Sequence, residues 1–147
     1  MTKKPIITLR FNHYLVLPEK VDEEQVSCGI HTDNDAFTIL AQDPIGGLQL
    51  RVADGSFVPV PYIPNTFVVN VGDIVEHWSN GKYKAPEHRV ISPAGKERYS
   101  IGYHFGADYC AMVEPCVKDE APKYEPITSG DLFESIEIPA HLYTQQL

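Results

Sequence analysis

The sequence predicts an all-β sandwich or barrel, and three observations carry that reading. Short apolar runs recur at spacings of roughly 8–12 residues. Twelve prolines and ten glycines punctuate those runs. Only the tail carries a helical pattern. The runs are Ile6–Phe11, Ala36–Ala41, Leu48–Val52, Phe57–Val60, Phe67–Val71, Asp73–Trp78, His88–Ile91, Tyr99–Phe105 and Ala111–Val113, and each reads as a strand. Asp54-Gly55 joins two of them as a hairpin turn, because both residues tolerate positive φ. Ser79-Asn80-Gly81 reads as another turn, and Gly46-Gly47 permits a bend that a Cβ would obstruct. At the tail, Thr128-Ser129-Gly130-Asp131 has the spacing of a capping box. Leu132, Phe133 and Ile136 follow with helical period, predicting a short C-terminal helix.

The chain has 147 residues, enough for one domain with a real core. It is 43% hydrophobic and 22% charged, a globular balance. No apolar run reaches the roughly 18 residues of a membrane span, and the N-terminus lacks the apolar stretch of a secretory signal. A net charge of −8 argues against a nucleic-acid partner, which requires a basic face. Three cysteines without CxxC spacing fit a reducing, cytoplasmic interior better than a disulfide framework. Cys28 reads as a packed thiol.

The chemistry concentrates in His31-Thr32-Asp33, His88 and Arg98-Tyr99-Ser100. Side chains two apart in an extended segment share a side, so His31 and Asp33 can reach one ion. His88 can join them from a strand distant in sequence. Two imidazoles and one carboxylate suit a mononuclear non-haem iron(II) site. Each residue alone has an ordinary reading: Asp33 as a turn residue, His88 as a core or surface histidine, Arg98 as a surface charge. Together they point to an oxygenase. A guanidinium is a rigid fork matched to a carboxylate, and Ser100 adds a hydroxyl on the same face. Asn12 and Tyr14 share a face on the first strand; Tyr14 offers its phenol to the same anion or serves as an interfacial aromatic. His77-Trp78 reads as strand packing. His104 continues the 98, 100, 102 alternation and is a candidate substrate contact. Phe37, Ile39 and Phe105 are substrate candidates by position alone.

At these residues the chain resembles a known family. Gly29-Ile30-His31-Thr32-Asp33, Gly46-Gly47-Leu48-Gln49-Leu50, Val69-Asn70-Val71-Gly72-Asp73, Ser79-Asn80-Gly81-Lys82-Tyr83-Lys84, His88-Arg89-Val90 and Arg98-Tyr99-Ser100-Ile101 are similar to segments of the iron(II)- and 2-oxoglutarate-dependent dioxygenases of the isopenicillin-N-synthase-like superfamily. The similarity runs from about residue 6 to residue 133, through Lys123-Tyr124-Glu125-Pro126-Ile127-Thr128, and leaves 134–147 as a tail.

The resemblance implies a double-stranded β-helix, or jelly roll, over residues 1–147. It implies Fe(II) held by His31, Asp33 and His88. It implies 2-oxoglutarate anchored by Arg98 and Ser100, with Asn12 and Tyr14 beside them. The implied activity is hydroxylation or desaturation of a small organic molecule by dioxygen, releasing succinate and carbon dioxide. Family members usually carry a long, largely helical N-terminal region over the jelly roll. Here the chain starts at about the first core strand, so an outer face is expected to lie bare. Ile7, Leu9 and Phe11 alternate on it, and a bare apolar face invites association. The alternative reading is a truncated or degenerate, non-catalytic domain that binds metal or 2-oxoglutarate, or forms part of a larger assembly.

Overall fold

Alternation of side chains along strands demands two faces per sheet, and the chain meets this with two antiparallel sheets enclosing a shared interior. The computed structural model describes residues 3–16, 27–118 and 120–135. The elements are β1 (Pro5–Tyr14), β2 (Cys28–His31), β3 (Phe37–Gln42), β4 (Leu48–Arg51), β5 (Phe57–Pro59), β6 (Val68–Val71), α1 (Asp73–Trp78), β7 (His88–Val90), β8 (Arg98–Asp108), β9 (Met112–Val113), β10 (Ile127–Thr128) and α2 (Ser129–Glu134). One four-stranded sheet has the order β1-β8-β3-β6 and the other β2-β7-β4-β5, while β9 and β10 pair separately. Apart from β4 and β5, successive strands from β1 to β8 alternate between the two sheets, as in the expected jelly roll. Among the described residues no helix is long and apolar enough to cross a membrane.

Register decides what faces inward. Arg10, Gly102, Leu40 and Val68 are aligned across the first sheet; Thr8, His104, Thr38 and Asn70 form the next inward row. The opposite face carries Leu9, Tyr103, Ile39 and Val69 in register. Ile7, Leu9, Phe11, Ile101, Phe67 and Val69 are exposed there.

The segment Asp73–Trp78 is a helix, not the anticipated strand. Its β-branched and aromatic residues favour strands, but Ile74, Val75 and Trp78 also have helical spacing. The tertiary structure settles the choice. The first N–H groups of a helix have no partner within it. Here the N–H groups of Asp73 and Ile74 donate to the carbonyls of Asp33 and Asp35 at 2.8 and 3.1 Å. Gly72 makes that docking possible: a Cβ there would meet those same carbonyls at 2.6 and 2.3 Å. Strand β2 was not anticipated, because Cys28–His31 has no apolar alternation. The turns fall as expected, with Gly55 at φ +86° and Asn80 at φ +55°. Gly47, at φ +92°, lies where a Cβ would strike the Ile91 carbonyl at 2.4 Å.

Helix α2 begins at the anticipated cap: Asp131 N–H donates to Thr128 Oγ1 at 3.0 Å. Ile136 lies outside the described residues. Leu132 of α2 packs with Ile74, Ala36, Ala107 and Val113 in a small core that braces the first sheet. Ile74 is almost fully buried in it. Ile74→Ala is therefore expected to lower unfolding stability by about 2–5 kcal/mol in urea titrations, through lost burial and a residual cavity.

Candidate metal centre

Strand β2 ends at His31 and β7 begins at His88, and the two residues are register partners across the second sheet. Asp33 follows β2 on the loop clamped by α1. Their ligand atoms come within 4.8 Å of one another. Nε2 of His31 lies 3.8 Å and Nε2 of His88 3.7 Å from the same oxygen, Asp33 Oδ1. Each ring is turned by its other nitrogen. The Nδ1–H of His31 donates to the Gly29 carbonyl at 2.8 Å, and that of His88 to the Pro86 carbonyl at 3.0 Å. Such bonds fix the tautomer and leave Nε2 free for a metal.

The carboxylate is oriented in the same way. Asp33 Oδ2 accepts from Thr38 Oγ1 and from Asn70 Nδ2, both at 2.7 Å. Oδ1 is left facing the imidazoles. Burial pulls the Asp33 pKa upward, but the Asn70 and Thr38 hydrogen bonds and the nearby His88 outweigh it. The carboxyl is held below its ordinary range. The donor set, two imidazoles and one carboxylate oxygen on one side of a cavity, fits a divalent iron ion with open positions.

Arg98, at the start of β8, is fully buried. Its partners are neutral: the Gly46 carbonyl, the Ser100 hydroxyl at 3.3 Å, and the Tyr14 ring with its centroid 4.5 Å away. Among the described residues no carboxylate pairs with it. A buried charge without a counter-charge is costly, so this guanidinium is poised for an incoming anion. Asn12 Nδ2 donates to Ser100 Oγ at 3.3 Å and steadies the second polar group. Tyr14 stacks on the guanidinium face, and its ring is its contact with the anchor.

A cavity of about 280 Å³ joins the two ends. His31, Asp33 and His88 line it together with Asn12, Tyr14, Arg98, Ser100 and His104. Phe37, Ile39 and Phe105 do not. They alternate onto the opposite face of the sheet, where Phe37 and Phe105 stack at 5.0 Å. Positional guessing failed there because the inward parity of β3 and β8 is set by pairing, not by hydrophobicity. His77 sits on α1 against Tyr124 rather than in a strand. Sequence reasoning missed Thr38 and Asn70, which hold the carboxylate, and Arg10 and Leu40, which line the cavity. Thr38 lies five residues past Asp33, and the period-two rule could have paired it with the inward face.

Two histidines and one carboxylate facing one cavity of a jelly roll form a donor set suited to a single divalent metal ion. The comparison with protein families narrows this: the model of the 2OG-Fe(II) oxygenase superfamily matches residues 6–107, and the chain belongs to that family. The family's cofactors are Fe(II) and 2-oxoglutarate. The 2-oxoglutarate-Fe(II) type oxidoreductase hxnY of Emericella nidulans is 38% identical over 138 residues, covering 90% of this chain and 40% of its own length. Gibberellin 2-beta-dioxygenase 6 of Oryza sativa subsp. japonica is 36% identical, covering 88% of this chain and 35% of its own. Among solved structures, the dioxygenase for auxin oxidation of rice superposes with a TM-score of 0.77 at 32% identity. That match covers 95% of this chain and 47% of the rice protein. A full-length Neurospora crassa protein, solved with alpha-KG and thymine, superposes with a TM-score of 0.81 at 35% identity, covering 89% of this chain and 43% of its own. The chain therefore spans less than half the length of these relatives.

His31 titrates unusually. The hydrogen bond that the His31 Nδ1–H gives to the Cys28 sulfur, 3.9 Å away, is the largest cause raising its pKa; burial opposes it, and the Gly29 carbonyl and the Cys28 and Asp33 charges add to the rise. The imidazole is pushed up to about 9. A metal ligates only the neutral ring, so metal must displace that proton. Mn(II) affinity, read by electron paramagnetic resonance titration, is expected to rise about tenfold per pH unit up to pH 9. Cys28→Ala removes the largest raising cause, so Mn(II) affinity at neutral pH should increase. An unchanged profile would show that Cys28 does not set it.

Proposed function

We propose that this chain is the catalytic jelly roll of a 2-oxoglutarate-dependent dioxygenase acting on a small organic molecule. His31, Asp33 and His88 would hold Fe(II). Arg98 and Ser100 would take the far carboxylate of 2-oxoglutarate, with Asn12 supporting Ser100 and Tyr14 covering the guanidinium. His104 would face the substrate. The observation that carries the reading is the pairing of the His31–Asp33–His88 cluster with the buried, unopposed Arg98 along one cavity. A dicarboxylic acid has one anionic end for each.

When bound, iron with 2-oxoglutarate and dioxygen supplies an oxidant able to attack an unactivated C–H bond. The protein's own residues do the rest. The Gly29 and Pro86 carbonyls keep both imidazoles presenting Nε2. Thr38 and Asn70 keep Asp33 ionised with one oxygen forward. Leu40, Leu48, Leu50 and Val90 line the cavity and shield it from water. Relatives support a small-molecule substrate: the Neurospora crassa protein is solved with thymine and JOX2 with JA. The unpaired cysteines support a cytoplasmic setting.

The test is succinate formation from 2-oxoglutarate with Fe(II) and oxygen. His31→Ala is expected to reduce it at least about a hundredfold, through loss of one of three metal ligands. Binding is measured separately as the rise in melting temperature with Mn(II) and 2-oxoglutarate. Arg98→Met is expected to abolish the 2-oxoglutarate increment while keeping that of Mn(II). Succinate formation unaffected by His31→Ala overturns the assignment.

A further inference from the structure

Both loops of the metal cluster are tied to helix α1. The Asp73 and Ile74 N–H groups at its start hold the loop of Asp33. One turn later Glu76, a mostly buried side chain, reaches the loop that leads into His88. The Ala85 N–H donates to Glu76 Oε2 at 2.7 Å, while Lys84 Nζ and the Tyr124 hydroxyl donate to Oε1 at 2.9 and 2.7 Å. Burial pushes the Glu76 pKa up, but the hydrogen bonds from Lys84, Tyr124 and Ala85 outweigh it and hold the carboxyl below its ordinary range. An ionised carboxylate only accepts, which suits three donors.

The three contacts differ in weight. The Lys84 side chain is mostly exposed, and an ion pair open to water adds little. Ala85 is buried, and among the described residues its N–H has no partner other than Glu76. A buried N–H needs an acceptor. Between Ala85 and His88 the chain has little freedom. Pro86 fixes its own φ and confines Ala85 to extended backbone. The Glu87 carbonyl accepts from the Arg51 N–H at 2.8 Å. The Pro86 carbonyl thus lies between two anchored peptides, and it is the group that accepts the His88 Nδ1–H at 3.0 Å. A shift of Ala85 moves that carbonyl, and the imidazole turns with it. His31 takes its orientation from Gly29, inside β2, so the clamp bears on one imidazole of the two.

We infer that Glu76 is a positioning residue for His88: by holding the Ala85 N–H it fixes the Pro86 carbonyl, and through that carbonyl the direction in which His88 presents Nε2 to the metal. Helix α1 then gauges the two ligand loops against each other, the Asp33 loop from its first N–H groups and the His88 loop from Glu76. Metal at the cluster must in turn tighten the Ala85 contact, because coupling between two sites is reciprocal. This inference rests on the proposed function, since it concerns the same metal site.

The experiment reads Mn(II) affinity of the full chain by electron paramagnetic resonance titration. Glu76→Met is expected to weaken it at least about tenfold, as loss of a group that orients a metal ligand does. Glu76→Gln keeps an amide oxygen for the Ala85 N–H and should stay within about threefold of the native chain. A His88→Ala background separates positioning from packing. There Glu76→Met should cost less than about twofold more, because the ligand it acts through is gone. The spin-echo modulation from coordinated imidazole nitrogen should fall in Glu76→Met to the depth seen in His88→Ala. In the native chain, hydrogen exchange of the Ala85 amide should slow about tenfold on binding Zn(II), the reciprocal effect, and this decides the matter if Glu76→Met does not fold. Unchanged Mn(II) affinity in Glu76→Met, equal losses in the Gln and Met variants, an equal loss in the His88→Ala background, or Ala85 exchange indifferent to Zn(II) overturns the inference. A native chain that binds no Mn(II), or binds it as tightly after His31→Ala, overturns the proposed function instead and takes this inference with it.

Discussion

The site depends on the register of β8 between β1 and β3. In a strand the side-chain period is two, and a slip of one residue would exchange the faces. With the observed pairing, Arg98, Ser100, Gly102 and His104 all point inward along one line. They place a buried guanidinium, a hydroxyl, a residue without a side chain and an imidazole at successive steps of the cavity. The same pairing sends Tyr99, Ile101, Tyr103 and Phe105 outward. One constraint on the backbone thereby determines both the chemistry inside and the apolar character outside.

Burial makes these polar groups consequential. Arg98 is out of water with neutral partners only, a state that burial makes costly for a charged group. Asp33 is the opposite case: Asn70, Thr38 and two imidazoles surround it, so its charge is kept in spite of burial. The cavity therefore carries one unsatisfied positive end and one satisfied negative corner with an open oxygen. A metal ion and a dianionic cosubstrate complement those two states. Helix α1 contributes by fastening its free N–H groups to the loop that holds Asp33. The placement of the ligand loop is thus part of the packing of the small core around Ile74.

The proposed metal ligands could be singled out in the sequence because residue type and local spacing constrain them strongly. His31 and Asp33 flank one residue in an extended segment, and Arg98 and Ser100 repeat that geometry. The strands bounded by glycine, proline and Asp-Gly turns were legible for similar local reasons. Asp73–Trp78 was not, since its β-branched residues favour one state and its spacing permits another. Docking of its N-terminus on Asp33 and Asp35 made the decision. Phe37, Ile39 and Phe105 are apolar and near the motifs, yet pairing turned them away from the cavity.

The sequence by itself determined the chemical types at the site: imidazoles, carboxylate, guanidinium and hydroxyl at spacings that strands present on one side. It also determined the turns, where φ is limited by the residue itself. Tertiary structure alone decided which groups stand behind those residues. Asn70 meets Asp33, Asp35 meets His104, and Arg10 comes beside Gly102 only when separate strands pair. Those contacts are separated by up to 92 residues between Arg10 and Gly102 in the register. No local rule reaches that far, because cross-strand neighbours are chosen by the burial and hydrogen bonding of the whole sheet.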